Sequence, residues 1–276
     1  MAEPSIWQQT FESMTATIEG EADAFANILD TIVGFDVVSQ CGTAIDVFKA
    51  AGVALTTLFF CMEVFTYCAQ IDFNGGIKGA LRIAMKMIAA ALIVQNTDKV
   101  VGAVSEVFKN ASLSSYHESF QGIADAFAAS ATTGVIDGGV LDINYVCMTF
   151  LLFIVMIVLF VLFSLIVVTM LGVVFETGIL VAISPVALST LCNSTARSTG
   201  IAFIKNFAAV SMQWGVLSVC FMAHRQIASG LTLDFAASSE GFLMYIMRYA
   251  TPLLSVIILT VTVAKASEIT KRALGG

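Results

Sequence analysis

Between positions 143 and 191 the chain runs for 49 residues with a single charged side chain, Glu176. A helix needs about 20 apolar residues to cross a ~30 Å hydrocarbon layer, so this run exceeds one span. No water-soluble fold hides a segment of that kind. The remainder of the chain agrees, with 58% hydrophobic and only 12% charged residues, against roughly 25% charged in a soluble domain. Too little polar surface is left to cover a soluble globule, which excludes a soluble enzyme. The sequence specifies an all-α, polytopic helical membrane protein.

Residues 50–71, 207–222 and 242–264 are also long and apolar enough to span. A fifth stretch, 77–94, has the right length but carries Lys78, Arg82 and Lys86. Basic residues set the orientation. With the tail bearing Lys265, Lys271 and Arg272 in the cytoplasm, the connection at Arg197 and Lys205 and the turn before Lys78, Arg82 and Lys86 fall there too. That side then holds eight of the 13 basic residues, and the opposite side 16 of the 20 acidic ones. Five crossings follow, N-terminus out and C-terminus in.

The expected organisation is an extracytoplasmic amphipathic arm (1–49), a first transmembrane hairpin (50–94) and an extracytoplasmic loop with one short helix near 115–130 (95–142). A transmembrane core (143–264) and a cytoplasmic tail (265–276) complete it. The 143–191 run must cross an odd number of times. Either its helix tilts and projects past the bilayer, or it breaks near Gly172 and Gly178, leaving 172–191, with Pro185, as a re-entrant segment. Two full crossings there would put the Lys78 group outside, against the charge distribution.

Lys78, Arg82 and Lys86 recur every four residues and form one stripe on a helix. Two readings stand. The stripe anchors the helix by snorkelling and a salt bridge, or it lines an aqueous substrate path, because only 87–94 is uninterrupted and eight residues cannot span. A helix lying flat in the interface is a third arrangement. Hairpin register sets Glu63 opposite Lys86, and Asp72 near Lys78, leaving Arg82 over and the hairpin net positive. Such a lining suits an anionic polymer such as DNA. Glu176 either caps the re-entrant turn, pairs with Arg197, or gates a path; Arg248, just inside the last span, snorkels outward toward Glu240.

The arm carries Trp7, Phe11, Met14, Ile18, Phe25, Ile28 and Ile32 in a heptad-like stripe with Pro4 near the helix start. This is expected to serve helix–helix assembly, with copies of the chain or with partners, outside the membrane. No cleavable signal is expected, since Met1-Ala2-Glu3-Pro4 opens with an acid. The six cysteines contain no C-x-x-C pair and read as small buried hydrophobes. His117 and His224 read as ordinary polar residues. No phosphate-binding loop, nucleophile elbow or zinc motif is present; neither enzymatic activity nor a cofactor or metal is expected.

The arm, five spans, large outer loop and cytoplasmic tail together resemble the TrbL family, the polytopic inner-membrane subunit of type IV secretion and conjugation machines. The stretch Ala182-Ile183-Ser184-Pro185-Val186-Ala187-Leu188, followed by Thr195-Ala196-Arg197 and then Phe203, Phe207 and Trp214, is similar to the family's pattern. That pattern is a Pro-containing apolar turn, a Thr/Arg pair and an aromatic-studded helix. Ala196 separates Thr195 from Arg197, a departure from an adjacent Thr-Arg.

The resemblance implies a subunit of a homo-oligomeric ring in the bacterial cytoplasmic membrane, in contact with lipid and passing DNA and protein outward. It implies secretion ATPases below, a pilus or pilus-tip subunit above, transient contact with DNA, and loop 95–142 along the route. The alternatives are a stand-alone solute transporter or channel-like permease, which paired broken spans would favour, and a purely structural scaffold.

Overall fold

The computed structural model describes residues 6–69, 76–110, 116, 118–123, 143–235 and 242–273. Among them there is helix and no strand. The elements are α1 (Ile6–Gly34), the single turn α2 (Val37–Gln40), α3 (Gly42–Ala69), α4 (Gly76–Gln95) and α5 (Thr97–Asn110). After these come α6 (Ile143–Ser189), a 3-10 turn (Thr190–Cys192), α7 (Arg197–Phe235) and α8 (Phe242–Ala273). Four helical stretches are long and apolar enough to cross a membrane: Gly42–Ala69, Thr149–Cys192, Arg197–Ile227 and Pro252–Ala273. The chain is a multi-pass helical membrane protein.

The fifth expected span is not a straight helix. Gly79–Gln95 and Thr97–Val107 qualify only together, with a 64° bend between them. Side chains entering the hydrogen-bond ladder account for the bend. Asn96 Nδ2 donates to Leu92 O at 2.9 Å, and Thr97 Oγ1 lies 2.9 Å from Ile93 O and 2.8 Å from Val94 O. Helix α5 occupies part of the stretch expected to be a loop, while residues 118–123 are helical within the expected 115–130 element; 124–142 lie outside the described residues.

Helix α6 decides between the two forms the sequence leaves open. It runs unbroken for 47 residues, about 70 Å, through both Gly172 and Gly178. The break near Gly172 and Gly178 therefore does not occur, and the continuous helix is the form adopted. Backbone groups in an apolar setting must be satisfied within the segment, which outweighs the ~1 kcal/mol helix penalty of a glycine. Gly178 serves packing instead: a Cβ there would stand 3.2 Å from Val37 Cγ1. At Pro185 the missing N–H would free the carbonyl of Val181, and Ser184 Oγ donates to that oxygen at 2.6 Å. Thr169 and Thr177 donate to carbonyls four residues back, so these hydroxyls sit in apolar surroundings already partnered. The expected boundaries shift accordingly, with α3 starting before residue 50 and α8 carrying the tail to Ala273.

The chain divides into two compact units. The first contains residues 1–34, 111–171 and 215–266. Its core is aromatic. Phe25 of α1 meets Phe160 and Phe163 of α6 at centroid distances of 5.7 and 5.3 Å, and Phe120 contacts Phe163 and Phe221 at 5.1 and 5.8 Å. Ser119 Oγ donates to Phe221 O at 2.8 Å, and Glu118 pairs with Arg225. Ser255 Oγ donates to Pro252 O at 2.7 Å and lies 3.2 Å from His224 Nε2. With the hydroxyl proton committed to the carbonyl, Nε2 must be the protonated ring nitrogen.

This unit also revises the role of the arm. Ile18, Phe25 and Ile32 are buried together with Ala22, Leu29 and Val33, while Ile28 is 44% exposed. The stripe is therefore used within the chain, against α6, and its line passes through Ala22 and Leu29 rather than Ile28. Met14 is half-buried; the side chains of Trp7 and Phe11 lie outside the described residues.

The second unit contains residues 35–110, 172–214 and 267–276. Its core gathers Ile45, Val101, Leu180, Val181, Phe207 and Val210. Helices α3 and α6 approach closely at Gly52, where a Cβ would stand 2.7 Å from Pro185 O. Helices α3 and α4 form a hairpin in which the ring of Tyr67 fills the space beside Gly79. Lys49 pairs with Asp98 at 3.0 Å, and Lys109 Nζ donates to Phe35 O at 2.6 Å, fixing both ends of α5. Burial pushes the Lys109 ammonium below its ordinary pKa, with Asp36 and Glu106 opposing.

Candidate functional site

The polar residues of the second unit converge on the turn between α6 and α7. Pro185 cannot by itself end α6, because Ser184 repairs the ladder there. The helix ends four residues later, where hydroxyls take its last carbonyls. Ser189 Oγ donates to Val186 O at 2.6 Å, and Thr190 Oγ1 to Ala187 O at 2.7 Å. Asn193 then reverses the chain: its Oδ1 accepts from Thr195 N at 2.7 Å and Ala196 N at 3.4 Å. This local Asx turn leads directly into α7 at Arg197.

One carboxylate locks the turn to the hairpin. Glu63, on α3, is only 12% exposed and places Oε1 3.6 Å from Lys86 Nζ on α4. Its other oxygen accepts from Ser194 N at 3.1 Å and Ser194 Oγ at 2.9 Å. Three segments distant in sequence thus meet at one side chain. The Glu63–Lys86 pairing is the one the hairpin register anticipates. Arg82 is exposed and pairs with no carboxylate among the described residues, and Arg197 is exposed beside the same turn. Cations outnumber the single carboxylate here, so the junction favours anions.

Lys86, Ser194 and Arg197, with Ala90, Ile93 and Leu191, border a cavity of about 330 Å³. Both oxygens of Glu63 have partners within the protein, one in the Lys86 ion pair and the other in two hydrogen bonds from Ser194. The arrangement can hold an anion and fix a loop. No group of three or more His, Cys, Asp or Glu suited to a metal occurs among the described residues.

Other expected residues lie elsewhere. Glu176 pairs with Lys271 at 3.5 Å, not with Arg197; it sits 13 residues before the end of α6, about 20 Å along the axis from the turn. Thr195 is exposed on the turn and contributes its backbone N–H. Trp214 is buried well along α7, so the Pro-Thr-Arg-Trp pattern does not form one site. Lys78 and Arg248 belong to helices, but their side chains lie outside the described residues, as does Asp72. Ser194 and Asn193 were not anticipated. The signal was there, since Asn193-Ser194-Thr195 is a polar run between two apolar helices.

No protein-family model matches the chain, and no curated protein or solved structure matches it.

Proposed function

We propose that this chain is a subunit of a type IV secretion (conjugation) machine in a bacterial cytoplasmic membrane, with its N-terminus outside and its C-terminus inside. It works within a homo-oligomeric ring that helps DNA or protein substrates across. Secretion ATPases supply the energy from the cytoplasmic side, and a pilus or pilus-tip subunit receives the substrate. The observation that carries this reading is the three-way junction of Lys86, Glu63 and Ser194. It couples the cationic face of the first hairpin to the turn that bears the Pro185 and Arg197 resemblance, with Arg82 exposed to a passing polyanion.

The test has two parts. The detergent-extracted mass should be that of a defined oligomer, and translocating DNA should crosslink to probes placed in 95–142. Reporter fusions after residues 74, 120 and 200 should report cytoplasm, exterior and cytoplasm in turn. A stable monomer with solute-dependent flux would favour the stand-alone permease instead.

A further inference from the structure

We infer that the cavity beside the α6–α7 turn binds the phosphate headgroup of an anionic phospholipid. Its walls have two chemistries. Lys86 and Arg197 bring two cations, whereas Ala90, Ile93 and Leu191 form an apolar side. Lys86 is 41% exposed and holds Glu63 at the long distance of 3.6 Å, so its ammonium keeps donors for a second partner. Arg197 has no carboxylate partner among the described residues and offers a planar fork suited to phosphate oxygens. It is also the first residue of a 39-residue helix, whose opening N–H groups carry partial positive charge.

The one opposing charge is Glu63. One of its oxygens faces the Lys86 ammonium and the other accepts both hydrogen bonds from Ser194, so the carboxylate is already engaged within the protein. Small residues make the room: Ala89 and Ala90 stand where larger side chains would fill the cavity. A nucleic acid backbone needs a long cationic track and has no use for an apolar wall. A free phosphate ion likewise leaves that wall wet. A diacyl phospholipid satisfies both ends at once, with its phosphate on the cations and the start of its chains along Ile93 and Leu191. Basic pockets between membrane helices are suited to such headgroups, and the cytoplasmic leaflet supplies them.

The full chain, purified and incubated with equimolar phosphatidylglycerol and phosphatidylcholine, is examined by native mass spectrometry for retained lipid. Phosphatidylglycerol should be retained about tenfold over phosphatidylcholine, equivalent to one charge-assisted contact. Arg197→Gln should reduce that preference several-fold. The double variant Glu63→Gln/Lys86→Gln, which leaves no buried carboxylate unpaired, should do the same, with helicity and elution volume reporting that each variant is folded. Tens of millimolar inorganic phosphate should leave the lipid bound. Equal retention of the two lipids, or wild-type preference in both folded variants, overturns the assignment. Full displacement by inorganic phosphate also overturns it, in favour of a free-anion site. The competition arms use only the unaltered protein, so they decide the matter even where a variant does not fold.

Discussion

Glu63 and Ser194, 131 positions apart, are joined by two hydrogen bonds onto one carboxylate oxygen. With Lys86 on the other oxygen, the Glu63 carboxylate ties the α6–α7 turn to the hairpin. Without it the Ser194 N–H and the Lys86 ammonium lose their partner together. Hydrogen bonds to a charged group contribute about 1.5–3 kcal/mol each. Glu63→Ala should therefore lower stability in detergent by about 2–4 kcal/mol and open the turn to limited proteolysis near 190–197. Glu63→Gln keeps an acceptor for Ser194 and should show roughly half that loss. Equal melting curves for the two variants would mean that charge, rather than acceptance, holds the turn.

Gly52 and Gly172 offer a matched pair. A Cβ on Gly52 would press 2.7 Å from the backbone carbonyl oxygen of Pro185, whereas one on Gly172 meets nothing within 4 Å. Gly52→Ala should force α3 off α6 and destabilise by about 1–3 kcal/mol. Gly172→Ala should stabilise α6 by about 0.5–1 kcal/mol. Thermal melts of both single variants check the contrast, which fails if Gly52→Ala is neutral.

Glu21, on α1, has one carboxylate oxygen buried with no hydrogen-bond partner, and burial raises its pKa above the ordinary carboxylate value. Because the folded-state pKa is the higher one, the folded chain binds this proton more tightly than the unfolded chain. The contribution to stability is full below the unfolded pKa and is lost as pH rises through the folded value. At neutral pH the buried charge works against folding. Glu21→Gln should raise the melting temperature at pH 7, and the gain should shrink as the pH is lowered through the carboxylate range. A pH-independent gain would point to helix propensity instead.

How much of this was legible in the sequence depends on whether the decisive contacts were local. The spans were legible because apolar length alone decides them, and the Glu63–Lys86 pair because a hairpin fixes register across a short turn. The continuity of α6 was not. Glycine marks a break in water, but at Gly178 it marks a close approach to Val37, and sequence cannot tell the two apart. The partner of Glu176 was missed for a similar reason: Lys271 reaches it from another helix, a placement no spacing rule encodes. Helix α5 was within reach, since Asp98 opens it, Lys109 lies in its last turn, and Val100, Val104 and Val107 recur at helical spacing. Breadth of composition in 95–142 concealed it. The arm's periodicity marks a packing stripe, but period alone does not say whether the partner is another copy or the chain's own α6.

Arg82 separates a conduit from a scaffold. It is exposed on α4 one turn before Lys86 and pairs with no carboxylate among the described residues, so its removal strands no opposite charge. If the hairpin's cationic face guides a polyanion, Arg82→Gln should lower DNA transfer about tenfold, the scale of one lost phosphate contact, while leaving the mass of the extracted oligomer unchanged. Lys86→Gln removes a cation but also leaves Glu63 without its ion pair, so it should impair both transfer and stability. Adding Glu63→Gln should recover stability and not transfer. Transfer that stays at the unaltered level in Arg82→Gln, with loss in Lys86→Gln tracking stability alone, would assign this face to assembly.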